Sequence, residues 1–261
     1  MIIKGRFIIM VYLTGDCHGD FRRFSTSTFP EQKEMTRNDF VIILGDFGGI
    51  WSNSKEEKYW LDWLNNKPFT TLFVDGNHEG FNLLNTFPVV DFCGGKAHKI
   101  TDNIYHLMRG YVFDICDKKF FAFGGASSHD IQDGILDPKE FETKEEFKRV
   151  YNSWRKHNKM FRVKGVSWWE EELPSEEEMK RGIQSLEDVN YEVDYVITHC
   201  LPQDVSVCIG CMDGDYLTQY FNDLLLINGL KFNKWYCGHY HCEKQIFGKF
   251  NILYKKIVRI V

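Results

Sequence analysis

The sequence predicts an α/β protein, and two observations lead to this fold class. Runs of apolar residues of strand length recur along the chain, and several are followed by segments with the spacing of an amphipathic helix. One such run, residues 40–44, is almost wholly apolar, which is typical of a strand buried on both faces of a sheet. We therefore expect buried strands with helices packed over them.

The clearest helix prediction covers residues 54–65. Large apolar side chains recur there at helical spacing, with lysine and glutamate between them. Ser52 or Ser54 is the expected N-cap, because a serine hydroxyl accepts a hydrogen bond from the first turn. The other elements expected in this part of the chain are strands at 7–13, 40–44 and 70–74, a short helix within 21–39 and a helix at 81–86.

The pattern of the sequence changes near residue 95, where short apolar runs separated by turns predict antiparallel strands. Residues 126–192 are charged and aromatic and have little strand character. No Gly/Ser/Pro-rich linker bounds this block, so we interpret it as a helical insertion over the core of a single domain, 1–261. The elements expected from here on are strands at 104–107, 111–115, 119–123, 195–198, 234–237, 252–254 and 257–260 and helices at 140–154, 175–186 and 217–226.

Composition narrows the class of protein. The 261 residues are 43% hydrophobic, which suffices for one large core or two small ones. The net charge of −5 gives no general attraction to nucleic acid or to an anionic membrane. No apolar run approaches the roughly 20 residues that a membrane-spanning helix needs. Eight cysteines without a secretion signal predict reduced thiols, and hence a cytoplasmic protein.

Five stretches share one pattern, in which an apolar strand ends abruptly at glycine or threonine and metal-binding side chains follow. Taken singly, each has an ordinary explanation, since Asp and Asn cap turns and a histidine can be satisfied in a core. As an ordered set they predict a site for divalent metal ions. The stretches are Gly15-Asp16-Cys17-His18, Gly45-Asp46, Gly76-Asn77-His78-Glu79, Thr198-His199 and Gly238-His239-Tyr240-His241.

The candidate ligands comprise two carboxylates, one amide and four imidazoles, which are too many for one ion. Two ions that share Asp46 as a bridge accommodate them with room for water. Nitrogen and oxygen donors without thiolate suit Mn²⁺, Fe, Zn²⁺ or Ni²⁺ better than Ca²⁺, and we expect Mn²⁺. A water held between two such ions becomes a nucleophile near neutral pH, so the ligand set predicts hydrolysis of a phosphate ester.

In this order, the five motifs resemble those of the calcineurin-like metallophosphoesterase superfamily, over residues 8 to about 244. The resemblance implies a sandwich of two mixed β-sheets flanked by helices, with the metal site on loops at the strand ends. It also implies that His78 lies beside the metals, as proton donor to the leaving-group oxygen or as stabiliser of the phosphate. The implied ligands are Asp16, His18 and His241 for one ion, Asn77, His199 and His239 for the other, and Asp46 as the bridge.

The sequence departs from the phosphoprotein phosphatase branch of that superfamily. The position of the carboxylate that would orient the catalytic histidine is Gly49, and Asp75 stands where that branch has an arginine. An inward-facing Asp75 would repel a phosphate dianion. These differences disfavour a Ser/Thr protein phosphatase and leave Glu79 and Asp20 as candidate partners of His78.

Further substrate contacts are expected near the motifs. Arg22 and Arg23 follow the first motif and are expected to supply positive charge to bind the phosphate. The Gly-Gly pair before residue 126 is expected to bring His129 or Asp130 toward the substrate, unless it is a plain turn. For the tryptophans at 51, 168 and 169, a core role is weighed against stacking on a nucleobase.

The predicted function is hydrolysis of a small phosphodiester or nucleotide by a dinuclear metal enzyme. The alternatives are a phosphomonoesterase or protein phosphatase, and a metal-stabilised module that binds a partner through 126–192 without catalysis. A nuclease is disfavoured because no basic stripe is evident. The sequence leaves open the substrate, the native metal and the oligomeric state.

Overall fold

The structure, a computed structural model, describes residues 9–261. Its strands and helices alternate over the first part of the chain, as the apolar pattern predicts. The strands are β1 (Val11–Thr14), β2 (Phe40–Leu44), β3 (Thr70–Val74), β4 (Val89–Phe92), β5 (Gly95–Lys99), β6 (Ile104–Leu107), β7 (Tyr111–Ile115), β8 (Lys118–Phe123), β9 (Gly134–Leu136), β10 (Phe161–Val163), β11 (Tyr195–Thr198), β12 (Lys234–Cys237), β13 (Lys244–Ile246), β14 (Phe250–Ile252) and β15 (Val258–Arg259). The helices are α1 (Lys55–Asn65), α2 (Phe81–Leu84), α3 (Lys144–Lys156), α4 (Glu176–Glu187), α5 (Gln203–Ser206) and α6 (Tyr216–Leu226).

Two mixed β-sheets form the centre of the protein. The first has the strand order β15-β1-β2-β3-β6-β5-β4, and β1, β2, β3 and β6 run parallel in it. The second has the order β13-β14-β12-β11-β8-β7, with β14, β12, β11 and β8 parallel. The predicted sandwich of two mixed sheets flanked by helices is therefore confirmed.

Three apolar layers hold the sandwich together. Between the sheets, Leu13 and Ile42 of the first sheet belong to one buried cluster with Phe120 of the second. The outer face of the first sheet packs against α1 and α2, and the outer face of the second packs against α4 and α6. Because both sheets are covered on both faces, their central strands are continuous apolar runs, which is why the sequence revealed them.

The strands at 40–44 and 70–74 lie where the sequence predicts them. The first strand begins at Val11 within the described residues, and positions 7–8 of the predicted strand lie outside them. Helix α1 begins after Ser54, whose hydroxyl accepts a hydrogen bond from the Glu57 N–H. Ser54 is therefore the cap, and Ser52 instead donates its hydroxyl to the Glu57 carboxylate.

The antiparallel group expected after residue 95 is divided between the sheets. Strand β6 lies beside β3 in the first sheet, whereas β7 and β8 pair in the second. The chain crosses at Gly110, whose φ of 80° is a left-handed conformation that favours glycine. A Cβ there would lie 2.8 Å from the Glu178 carbonyl oxygen, so the crossing is also closely packed.

The region 126–192 contains both of the helices expected there, as α3 and α4. It also contains β9 and β10, which form a separate two-stranded parallel sheet that the sequence did not predict. Leu186 of α4 is buried in the outer layer of the second sheet, so this part of the block completes the sandwich. The part before α4 brings Asp130, Arg162 and Glu172 toward the ends of the central strands.

Candidate metal centre

The candidate ligands lie at the carboxyl ends of parallel strands in both sheets. Asp16, Asp46 and Asn77 follow β1, β2 and β3 of the first sheet. His199 follows β11 of the second sheet, and His239 follows β12. Because the sheets pack face to face, strand ends that are far apart in sequence meet at one place.

One set of ligands converges on a common point. The donor atoms of Asp16, His18, Asp46 and His241 all lie within 4.8 Å of one another. The His241 Nε2 is 3.0 Å from both the His18 Nε2 and the Asp16 Oδ2. Atoms bound to one ion at about 2.0–2.2 Å have spacings of this size, so these four residues fit a cation.

Asp46 connects this set to the second one. Its Oδ2 lies 3.6 Å from the His18 Nε2, and its Oδ1 lies 3.3 Å from the His199 Nε2. The His199 ring meets the His239 ring edge-on, with centroids 4.9 Å apart. The two Asp46 oxygens thus face opposite ligand groups, as a bridging carboxylate requires.

Buried donor atoms without partners provide an independent test of the metal assignment. Among the described residues, Asp16 Oδ2, Asn77 Oδ1 and His199 Nε2 are buried and make no well-formed hydrogen bond, and the close neighbours of Asp16 Oδ2 and His199 Nε2 are themselves predicted ligands, His241 and Asp46. Leaving such an atom unsatisfied costs about 1–3 kcal/mol. All three belong to the predicted ligand set, and a pair of divalent cations would satisfy them together. The residues present therefore fit the metals that the sequence predicts.

The Asp46 carboxylate attracts positive charge to His199, and a metal ion bound there would displace the proton from Nε2. Burial lowers the pKa of His199, but the Asp46 carboxylate and a hydrogen bond to the Leu44 carbonyl outweigh it and raise the pKa to about 10. The proton thus neutralises Asp46 when no metal is bound. The Nδ1 atom donates to the Leu44 carbonyl oxygen at 2.8 Å and leaves Nε2 directed at Asp46.

Backbone strain recurs at the predicted ligands. Four of them have φ between 46° and 68°, a left-handed conformation that is uncommon for residues other than glycine. Each such residue costs on the order of 1–3 kcal/mol and persists only when the surroundings determine it. The motif glycines permit this crowding, because a Cβ at Gly76 would lie 2.1 Å from the Asp46 Oδ1. The four strained ligands are His18, Asp46, His239 and His241.

Arg162 of β10 is a residue of the site that sequence reasoning missed. Its Nη2 atom is 3.3 Å from the His78 Nε2, and its Nε atom is 2.8 Å from both oxygens of Asp130. Burial, and then the Arg162 charge, lower the pKa of His78 despite the nearby Asp46. An arginine only donates, so this contact leaves the proton of neutral His78 on Nδ1.

Neither residue considered as the partner of His78 contacts it. Glu79 is fully buried and accepts hydrogen bonds from the backbone N–H groups of Phe47 and Gly48, so it supports the loop after β2. Asp20 pairs with the exposed Arg22. The structure thus corrects both expectations.

The three residues predicted to bind substrate differ in position. The side chain of Arg22 is 78% exposed. The Arg23 guanidinium donates to the Thr14 hydroxyl and to the carbonyls of residues 15, 16 and 254, so it holds the first motif loop in place. His129 lies against the site, with its Nε2 2.7 Å from the His239 Nε2. His129 thus lies beside a predicted ligand, and its contact with the substrate stays a prediction.

Asp75 does not face the site, so the expected repulsion of phosphate does not arise. Its carboxylate binds the Arg109 guanidinium and accepts from the His106 Nε2 at 3.0 Å, and all three groups are buried. Burial raises the pKa of Asp75, but Arg109 and His106 outweigh it and hold the pKa below its usual range. The ion pair of Asp75 with Arg109 therefore has a structural role next to the third motif.

We expect Arg109→Met to lower the free energy of unfolding by about 3–5 kcal/mol, because it leaves Asp75 buried without its countercharge. Urea denaturation followed by circular dichroism measures this. The control, Lys96→Met, breaks the exposed pair with Asp91 and should leave stability nearly unchanged. Equal losses in the two variants would contradict the role given to Asp75.

A comparison with known proteins agrees with the geometry. The model of the calcineurin-like phosphoesterase family matches residues 9–243. The chain belongs to this family. Its members' metal dependence accords with the ligand set, and the family places this chain among the metallophosphoesterases.

Lariat debranching enzyme A of Xenopus laevis is a relative, 27% identical over 143 residues. The match covers 48% of this chain and 25% of that protein, so the chain spans about a quarter of its relative's length. In residues 9–261, none of the helices has the length and apolar character needed to cross a membrane.

Proposed function

We propose that this protein is a metal-dependent phosphodiesterase that hydrolyses a small diester, such as a nucleotide, with Mn²⁺ as its metal. The observation that carries the proposal is the pairing of Arg162 with Asp130 beside His78. A phosphate monoester carries up to two negative charges near neutral pH, whereas a diester carries one. A guanidinium already paired with a carboxylate offers little surplus positive charge, which suits the diester.

When bound, the two cations supply a nucleophile from water and neutralise charge on the phosphate. The protein's own groups set the geometry. The backbone N–H of His78 donates to the Asp46 Oδ1 at 2.8 Å, and the backbone N–H of His239 donates to the Asp16 Oδ1 at 2.9 Å. These hydrogen bonds hold both carboxylates in place. Neutral His78, with its proton on Nδ1, stabilises the phosphate or the leaving-group oxygen through a hydrogen bond.

A cleft beside the site has room for an organic substituent of a diester. Its volume is about 380 Å³, and His18 is one of the residues that line it. Trp51 and Trp60 are half-buried and line it, and Trp169 is buried with its ring edge-on to Trp51. Flat aromatic walls of this kind favour a planar group such as a nucleobase.

The eight cysteines are all free thiols, which supports the cytoplasmic location included in this proposal.

The proposal predicts that chelation abolishes activity and that Mn²⁺ restores it. Protein stripped with EDTA and reloaded with Mn²⁺ should hydrolyse bis(p-nitrophenyl) phosphate with a kcat/KM at least about tenfold above that for p-nitrophenyl phosphate. The comparison uses one preparation, so that metal content is the same for both substrates. A higher value for the monoester would overturn the diester assignment, and activity unaffected by EDTA would overturn metal dependence.

A further inference from the structure

Two side chains outside the ligand set form a hydrogen-bonded chain behind Asn77. The Asn77 Nδ2 lies 3.4 Å from the Ser128 Oγ, and the Ser128 Oγ lies 2.7 Å from the Glu172 Oε2. An amide NH₂ only donates, so the serine oxygen accepts from Asn77 and its hydroxyl proton is given to Glu172. All three side chains are buried, with 2–5% of each residue exposed.

This chain determines which end of the Asn77 amide faces the metal site. Oxygen and nitrogen of an amide are nearly equal in size, so packing alone does not distinguish the two orientations. The Ser128 acceptor selects the one in which nitrogen points away from the site. The Asn77 Oδ1 is then buried without a hydrogen-bond partner in the described part of the chain, free to bind a cation.

Glu172 is held rigidly, although it comes from the 126–192 block. Its carbonyl oxygen accepts from the Ala126 N–H at 3.1 Å. The Arg109 Nη2 donates to the neighbouring Glu171 carbonyl at 2.6 Å, and Arg109 is itself bound to Asp75, two residues before Asn77. The hydrogen bonds therefore form a closed ring from the third motif through the insertion and back.

The chain works through hydrogen bonding and not through charge. Burial raises the pKa of Glu172 to about 8, more than Ser128 and Arg162 lower it. Near neutral pH the side chain is therefore largely an uncharged acid, which accepts from the Ser128 hydroxyl through Oε2. A glutamine can reproduce that contact, whereas a leucine cannot.

We propose that Ser128 and Glu172 are positioning residues that orient the Asn77 amide and so set the affinity for one cation of the pair, the one bound by Asn77, His199 and His239. The other cation, bound by Asp16, His18 and His241, does not depend on them. This inference rests on the proposed function only for the two-cation assignment. Residues of the 126–192 block would then help to form the metal site as well as cover the core.

Calorimetric titration of metal-stripped protein with Mn²⁺ tests the proposal. Ser128→Ala and Glu172→Leu should each weaken one of the two binding events about 10–100-fold and leave the other unchanged. Glu172→Gln should retain the affinity of both events within about threefold, because a glutamine oxygen still accepts from Ser128. Ser127→Ala is the matched control, since the half-buried Ser127 takes no part in the chain, and it should titrate like the unmodified protein.

Thermal unfolding of the stripped variants separates positioning from a merely structural role. Glu172→Leu removes a buried oxygen that lacks a partner among residues 9–261 but also leaves the Ser128 hydroxyl without its acceptor, so its metal-free protein should still unfold cooperatively, with a melting temperature lower by only a few degrees. Equal weakening of both binding events, no weakening of either, or a Glu172→Gln variant as impaired as Glu172→Leu would overturn the proposal. If the unmodified protein binds two ions but hydrolyses no diester, the proposed function fails while this inference stands.

Discussion

Replacing Asp46 with alanine is expected to reduce kcat/KM for bis(p-nitrophenyl) phosphate by about a thousandfold or more. The reason is that Asp46 faces both groups of predicted ligands, at 3.3 Å from the His199 Nε2 and 3.6 Å from the His18 Nε2. Loss of a single electrostatic contact to the transition state already costs about 10²–10³-fold. Asp46→Ala should lower the affinity for both cations, which metal analysis after gel filtration measures.

The control for this prediction is Asp20→Ala, which removes a carboxylate from the neighbouring first motif. Asp20 is half exposed and paired only with Arg22 among the contacts of the described residues, so its variant should keep activity and metal content nearly unchanged. Asp46 also accepts from the His78 N–H, so circular dichroism must establish that Asp46→Ala is folded. A folded Asp46→Ala protein that keeps a tenth of the activity would contradict the bridging role.

Arg162→Ala is expected to reduce kcat/KM for the diester by about 10²–10³-fold, because His78 loses the donor that keeps its proton on Nδ1. Arg22→Ala is the informative comparison. The sequence favours Arg22 as a phosphate contact, yet its side chain is 78% exposed and paired with Asp20. We expect Arg22→Ala to retain nearly full activity. The opposite ranking of the two variants would restore the sequence-based assignment.

Asp130→Asn extends this experiment to substrate choice. It removes the carboxylate that holds the Arg162 Nε at 2.8 Å and thereby frees positive charge at the site. The ratio of monoester to diester kcat/KM should rise about tenfold. A ratio that does not change would show that the charge of the Arg162–Asp130 pair does not govern the preference.

The convergence of the predicted ligands could be foreseen because their signal in the sequence is local. Each ligand follows an apolar strand within three or four residues, so the sequence itself shows both the strand and the side chain at its end. The same holds for β2 and β3, whose apolar runs are uninterrupted. The order of the five motifs along the chain then indicated a metal site, which no single motif does.

Residues whose roles depend on tertiary contacts were not predictable in this way. Arg162 lies in a three-residue strand, β10, and reaches His78 only because that strand pairs with β9. Glu172 lies in a run of acidic residues, which is typical of a solvated surface, yet only 2% of this residue is exposed. The direction of Asp75 depends on Arg109, 34 residues later in the chain. None of these contacts leaves a periodic or motif signal.

The hairpin of β4 and β5 was missed for a related reason. Its strands carry charged residues such as Asp91 and Lys96, which form an exposed ion pair, and Val89 is half exposed. β4 is the last strand of the first sheet, and an edge strand needs little apolar surface. Their sequences therefore resemble loops.

The division of the ligands between the two sheets has a consequence for how the protein acquires its metals during synthesis. On the proposed ligand assignment, each cation site would take side chains from both sheets, so a nascent chain that ends before His241 would lack one ligand and the strands that follow it. Metal capture would then be a late event, coupled to the docking of the second sheet on the first. Bound ions would in turn hold the two sheets together.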